Sequence, residues 1–416
     1  MIEVPLGRLV LSVAAGTRAG ASRSGGSDRG TNQIGVRLYN ERLVLSLVRL
    51  HRELPKAEIA RLTGLSPQTI SIIINQLTAD GFLLKGEPQR GRIGQPSVPY
   101  SLDPAGALSF GLKIGRRSVD LYLINFTGQI LQLLHKIYPY PTPEGIRSFA
   151  RAGIAELTKD LTPEQTARIA GLGIAAPYEM WTWHEEIGAP KADIDAWRTV
   201  DIRADIARLC PWPVYYSNDI TAACAAELMF GRGGDYLDYL YVYIGSFIGG
   251  GLVLDGHLFP GRTQNAGALG SMPARNMSPA APQLMNVASI YVLERKLIAQ
   301  GRNADILWLS PDEWSDFGAA LDEWIDEVAE SLAYSIVAAI AVIDVETVII
   351  DGAFPQHVRT RIIDRTREAV GRFNRQGLSP FALIEGTIGN AARAMGGAAI
   401  PLLANFTKDR EVLFKE

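Results

Sequence analysis

The sequence predicts an α/β protein in two parts: a small module of three helices and a hairpin, then a two-lobed body that uses one strand-and-helix unit twice. Three observations carry that expectation. A short uncharged helix with four apolar residues on one face stands just ahead of a Gly- and Arg-rich loop between two strand-like segments. Two later segments, residues 111–128 and 241–256, share one order of apolar strand, Ile-Gly turn, second strand and glycine. The chain, at 416 residues, is also too long for one ordinary core.

Composition is that of a globular protein, with 47% apolar and 20% charged residues. Cys210 and Cys224 offer neither metal-ligand spacing nor a disulfide framework, which fits a reducing cytoplasm. The longest apolar run, residues 332–345, carries Ser335 and Asp344 and is too short to span a bilayer, so no membrane partner is expected. Charge is unevenly spread. Residues 36–100 hold nine Lys/Arg against five Asp/Glu, and residues 101–416 hold 28 against 37. A basic module on an acidic body points to a nucleic-acid partner for the front end only. Ahead of it, Arg8 with Leu9–Ala15 faintly resembles a signal peptide, but a Gly/Ser/Arg-rich stretch follows in place of a cleavage site. Residues 1–35 therefore read as a disordered leader, and whether they belong to the product is left open.

The front module is expected over residues 36–104. Asn40 can cap a first helix with apolar residues at Leu43, Leu47, Leu50 and Leu54, widened by Val44 and Val48. A second helix covers Lys56–Leu62 and stops at Gly64. Ser66 and Pro67 start a third as N-cap and first helical residue. Ile70, Ile73, Ile74 and Leu77 make its buried stripe, which leaves Gln68, Ile72 and Asn75 on the opposite face, flanked by Thr69, Ser71 and Gln76. Amide side chains pair bidentately with adenine, and an aliphatic one meets a thymine methyl. Strands Phe82–Lys85 and Val98–Leu102 bracket a loop with Arg90, Arg92 and Gln95, suited to phosphates or a narrow minor groove. This order describes a winged helix-turn-helix. Its candidate contacts to operator double-stranded DNA are Ser66, Gln68, Thr69, Ser71, Ile72, Asn75, Arg90, Arg92 and Gln95. A plain three-helix bundle with a solvated basic hairpin is the other reading.

The body, residues 105–416, is expected to divide into lobes at about 105–220 and 221–416. Actin and the sugar kinases, with their ribonuclease H-like halves and a ligand cleft between them, are built from such a duplication. Residues 171–177 (Gly-Leu-Gly-Ile-Ala-Ala-Pro), Ser217-Asn218-Asp219 with Ala226-Glu227, residues 248–256, Gly261, Ala266–Met272 and the tail from Ala391 to Leu403 together resemble the ROK family of bacterial sugar kinases and sugar-responsive repressors. In the wing, Gly94-Gln95-Pro96 stands where the repressors usually have Gly-Arg-Pro.

The departures from that family matter most. Its kinases approach ATP and magnesium with Asp-x-Gly-Gly-Thr, whereas this chain reads Lys113-Ile114-Gly115-Arg116-Arg117-Ser118. Phe247 replaces a phosphate-loop glycine, Ser271 replaces the zinc-binding His, and no cysteine cluster follows. The resemblance therefore implies no catalytic residue, no metal and no cofactor. It further implies that Asn218 and Asp219 meet sugar hydroxyls, that Asp193 stands near a sugar-contacting Asn, and that Ala268 replaces a sugar-binding Glu. A buried Asn218–Asp219 pair that caps a helix is the structural alternative. Trp183, Trp197 and Asn265 are further candidates for the ligand site. The five histidines form no ligand pattern, and the long helix near 317–342 is expected to pack in the second lobe and help a subunit interface. The expected function is a cytoplasmic, nucleoid-associated repressor, a homodimer or homotetramer responding to a carbohydrate effector. The alternatives are a sugar kinase with an accessory DNA-binding domain, and a DNA-binding protein whose body only dimerises.

Overall fold

The computed structural model describes residues 33–89, 97–182, 188–274, 282–314 and 317–408. The front module contains α1 (Gln33–His51), β1 (Glu53–Pro55), α2 (Lys56–Thr63), α3 (Pro67–Ala79), β2 (Leu83–Lys85) and β3 (Pro99–Leu102). The third helix matches expectation in detail. Ser66 Oγ accepts from Thr69 N at 3.1 Å, Pro67 opens the helix, and Ile70, Ile73, Ile74 and Leu77 are buried. Gly64 ends α2 in the left-handed region at φ 69°. The predicted hairpin is β2 against β3, and β1 joins the other side of β3.

The first helix departs from expectation. It already runs at Gln33–Gly35, inside the expected leader, and Asn40 lies in its interior instead of capping it. An Arg37–Glu41 ion pair at 2.8 Å supports those early turns. The buried apolar side chains of α1 are Val44, Leu45 and Val48, Leu50 is exposed, and Leu54 has moved onto β1. The helix has turned its face toward the body. Leader residues 1–32 lie outside the described residues.

The body's first sheet holds β4 (Leu108–Ile114), β5 (Ser118–Asn125), β6 (Ile130–Ile137), β7 (Ile169–Ala176) and β8 (Val214–Asn218), with α4 (Pro143–Thr158) on one face. Its strand order is β6-β5-β4-β7-β8. The second sheet holds β9 (Tyr239–Ile244), β10 (Ile248–Leu254), β11 (His257–Leu258), β12 (Thr347–Gly352) and β13 (Ala382–Glu385), in the order β11-β10-β9-β12-β13. In each, three antiparallel strands precede two parallel ones, so the duplication read from the two Ile-Gly hairpins is real at the level of topology.

Between and around the sheets lie α5 (Asp219–Phe230), α6 (Ile290–Ala299), α7 (Ala319–Ile343), α8 (Gln356–Gly371) and α9 (Ala392–Phe406). The acidic face of α7 is met within the chain, where Asp322 pairs with Arg361 and Asp326 with Arg365 of α8. The division at residue 220 needs one correction, because α9 returns to the first sheet. There a Cβ on Gly111 of β4 would stand 2.1 Å from the Ala394 carbonyl, and one on Gly173 of β7 would stand 1.9 Å from that of Gly397. Pro401, inside α9, has no N–H to offer the Gly397 carbonyl, and Gly173 lets that oxygen lie against the strand. On its other side α9 packs on α5 so closely that a Cβ on Gly396 would come within 1.8 Å of the Ala222 carbonyl.

Gly396→Ala is therefore expected to destabilise the protein by about 1–3 kcal/mol or more through overpacking against backbone. Gly371→Ala, at the end of α8 with open space around it, is the control. Denaturant unfolding of both variants checks the contrast.

Candidate functional site

The outer face of α3 is the first candidate surface. Gln68, Ile72 and Asn75 are exposed, and Thr69 and Ser71 are half-buried beside them. Ile72 keeps 64% of its surface in water, an unusual position for an aliphatic side chain. The face is partly pre-ordered: Lys56 Nζ donates to Asn75 Oδ1 at 2.9 Å, and Gln76 Nε2 donates to Asp80 at 2.9 Å. Ser66 works as the helix cap, its oxygen held by Thr69. Arg90, Arg92 and Gln95 lie outside the described residues.

The second candidate is a cleft between the two sheets, with a cavity of about 420 Å³. Asn218 and Asp219 enter it from the start of α5, Phe247 and Ser246 from the turn before β10, and Arg116 from the turn after β4. Arg393, in the first turn of α9, completes the floor, and Asn265 and Ser271 also line the space. Asp219 is buried with Arg393 3.6 Å away. Burial pushes its carboxyl above the ordinary range, and Arg393 and Lys113 oppose that rise.

The ground where a kinase would cradle phosphates is occupied by side chains. Arg116 lies over the rings of Phe247 and Tyr291 at 5.7 and 5.9 Å, and those rings meet edge to face. Glu294 of α6 accepts from Arg117 at 2.6 Å and from Trp308 Nε1 at 2.9 Å. Lys113 is neutralised by Asp120 at 2.7 Å, directly across the β4–β5 hairpin, and also donates to Ser118. Asp120 in turn meets His135 on β6. Burial alone would raise the Asp120 pKa, but Lys113 and His135 outweigh it and hold the carboxyl well below its usual range. These residues do not fit a magnesium–nucleotide complex, and among the described residues no cluster of His, Cys, Asp or Glu could hold a metal ion.

The structure sorts the expected ligand residues. Asp219 and Asn265 line the cavity. Asn218 does so too, but its Oδ1 accepts from Ile220 N and Thr221 N, so it also caps α5 as the structural alternative held. Trp197 is a core residue: it is buried under the first sheet and its Nε1 donates to the Pro141 carbonyl at 3.0 Å. Asp193 accepts from Tyr140 Oη at 2.8 Å and does not line the cavity. Trp183 lies outside the described residues. The residue missed was Arg393, and its signal was a lone charge in the otherwise small and apolar run Ala391–Ala399. His135, given no role from sequence, is the outer member of the Lys113–Asp120–His135 row.

The front module is fastened to this body by a shared core. Val44, Val48, Phe126, Met229, Leu402 and Phe406 belong to one cluster. Phe82, Phe126 and Phe406 pack ring to ring at 4.9–6.0 Å. Arg49 of α1 lies half-buried over Phe126 and Phe230 and donates to the Phe126 carbonyl at 2.8 Å. Arg168, just ahead of β7, donates to the carbonyls of Asp80, at the end of α3, and of Gly106. Gly81, at φ 75°, leaves room for that guanidinium.

The family model described as the ROK family matches residues 109–402, and one described as winged helix-turn-helix DNA-binding matches residues 37–83. A relative named putative xylose repressor, from Caldicellulosiruptor sp., is 27% identical over 57% of this chain and 59% of its own length. The chain thus spans about three fifths of that relative. A solved ROK family transcriptional regulator, described as a homologue of the Escherichia coli MLC protein, superposes with a TM-score of 0.62 at 18% identity over 92% of this chain and all of its own. A ROK family glucokinase from Streptomyces griseus gives 0.53 at 21% identity over 71% of this chain and 99% of its own.

The Asp120 hydrogen bond raises the His135 pKa, against a smaller opposing effect of burial. Its stabilisation is therefore full below the unfolded value near 6.5 and lost as pH rises through the higher folded value. His135→Gln is expected to lower the midpoint of unfolding more at pH 5.5 than at pH 9. Because His135 is substantially exposed, the difference should shrink in salt.

Proposed function

The chain belongs to the ROK family through residues 109–402 and carries a winged helix-turn-helix ahead of them, and from that premise we propose that it is a repressor of carbohydrate-utilisation genes. On this reading a sugar or sugar derivative in the cleft sets its affinity for operator DNA. The observation that carries the reading is the course of two helices. Asp219 opens α5 in the cleft, and Met229 and Phe230 close it against the front module. Arg393 begins α9 in the cleft, and Phe406 ends it against Phe82 and Phe126. A helix of 12 residues is a rod of about 18 Å. Anything that shifts the first turns in the cleft moves the ends beneath the DNA-binding module. The effector need only bind the two arrangements unequally to change operator affinity.

We read the body as catalytically silent. Lys113 and Arg116 replace the acidic and small residues that a magnesium–phosphate site requires, which speaks against the sugar-kinase alternative. The α3 face supplies base contacts through Gln68, Asn75 and Ile72, and a homodimer would place two such helices on two half-sites. A protein working on DNA in this way acts in the cytoplasm at the nucleoid.

The test is operator binding, followed by fluorescence polarisation on sites selected by the full-length protein, with and without a carbohydrate panel. A sugar that weakens binding in wild type and not in Asp219→Ala supports the reading. DNA binding indifferent to every carbohydrate would leave a body that only dimerises, and turnover of ATP with a sugar would revive the kinase.

Asn75→Ala is expected to lose about 1–3 kcal/mol of discrimination between operator and unrelated DNA, with little change in non-specific binding. Equal weakening on all DNA would show that α3 presents a different face. Arg168→Ala is expected to keep effector binding, read by thermal shift, while the effector's influence on DNA affinity falls several-fold.

A further inference from the structure

Lys56 and Asn75 hold each other at the edge of the α3 face. Lys56 Nζ donates to Asn75 Oδ1 at 2.9 Å, and the same ammonium lies 5.6 Å from the centre of the Tyr100 ring. Both ends of this contact start from fixed backbone. Pro55, its φ restrained by the pyrrolidine ring, ends β1 and precedes Lys56. The strand it ends is paired to β3, with Leu54 opposite Tyr100. Asn75 follows Ile73 and Ile74, both buried in the core of the front module. Lys56 is half-buried and Asn75 exposed, so the ammonium belongs to the surface that α3 offers.

That contact decides which hydrogen-bonding groups the pair can offer. A free asparagine gives a base edge one acceptor and one donor, which match the N6 amino group and N7 of adenine. Here the acceptor is already held by an ammonium. Oδ1 keeps a second lone pair, but adenine's amino group would have to reach it beside the ammonium, donor toward donor. Guanine presents two acceptors, O6 and N7, to the major groove. Asn75 Nδ2 and Lys56 Nζ are both donors. We propose that Lys56 and Asn75 act as one unit that reads guanine, with Lys56 determining the specificity by positioning the Asn75 amide. The ammonium disfavours adenine while it attracts guanine, so the pair discriminates in both directions. The inference rests on the reading that the α3 face meets base edges, and it names the base that this part of the face selects.

The experiment is selection of binding sites from a random duplex library by the full-length protein, repeated with Asn75→Ala, Lys56→Met and Lys56→Arg. The base pair whose preference Asn75→Ala weakens marks the site. Wild type is expected to prefer G·C over A·T there by about ten-fold, the size of one good bidentate contact. Lys56→Met frees Oδ1 and is expected to turn that preference to A·T, with the other positions unchanged. Lys56→Arg keeps a donor and is expected to retain G·C. A lysine that served only to pack on Tyr100 would alter stability and no single base preference. Should Lys56→Met not fold, the wild-type base pair at the marked site still decides. A·T preferred there by wild type overturns the inference and leaves α3 as the reading face. Lys56→Met that weakens binding to every sequence alike, with a flatter salt dependence, also overturns it, because the pair would then hold phosphate. If Asn75→Ala alters preference at no position, the inference and the assignment of the face fall together.

Discussion

Gly396 has the Ala222 carbonyl where any side chain would have to be, and on the far side of the same helix Gly397 and Ala394 press their carbonyls onto glycines of the first sheet. That seam of backbone against backbone fixes α9 between α5 and the β4–β7 pair. The cleft and the seat of the front module both follow from it. Asp219 and Arg393 face each other because their helices are locked side by side at their first turns. Phe230 and Phe406 reach the front module because the same two helices then run on together. Interiors packed this tightly have low compressibility and transmit strain.

The electrostatics of the cleft are a second consequence of position. Lys113 and Arg116 stand at the end of a central strand and in its turn, where burial is greatest, and both recruit compensation from neighbouring elements. Lys113 is satisfied within its own sheet by the cross-strand row to Asp120 and His135. Arg116 has to reach the second lobe, where two aromatic rings and a shared glutamate receive it. The two lobes are therefore tied by charge and ring contacts beside the cleft.

Legibility in the sequence followed the range of the interactions. The third helix could be read closely because its cap, its proline and its apolar stripe are all local signals. The duplication could be read because the Ile-Gly turns recur, and Asp219 because it stands in a recognisable pair. The face of α1 could not, since the cluster that holds Val44 and Val48 also takes in residues of α5 and α9, far along the chain. Trp197 reads from sequence as a ligand platform, but its indole N–H goes to the Pro141 carbonyl, 56 residues away, a contact no local signal announces. The Lys113–Asp120 pair was available in principle, because a hairpin turning at Gly115–Ser118 sets those two residues opposite each other.

Phe406 closes the core beneath the first helix, and the amide of Lys408 donates to Ser46 on that helix. The front module is thus completed by a segment made far later in the chain. With synthesis at about 5–20 residues per second, roughly 300 residues separate the emergence of the front module from that of its last packing partner, a wait on the order of 15–60 s. Through that interval Val44, Phe82 and Phe126 lack their final cover, and the synthesis of α9 is the event that completes the module. A chain truncated within α9 would lose packing in the front module as much as in the body.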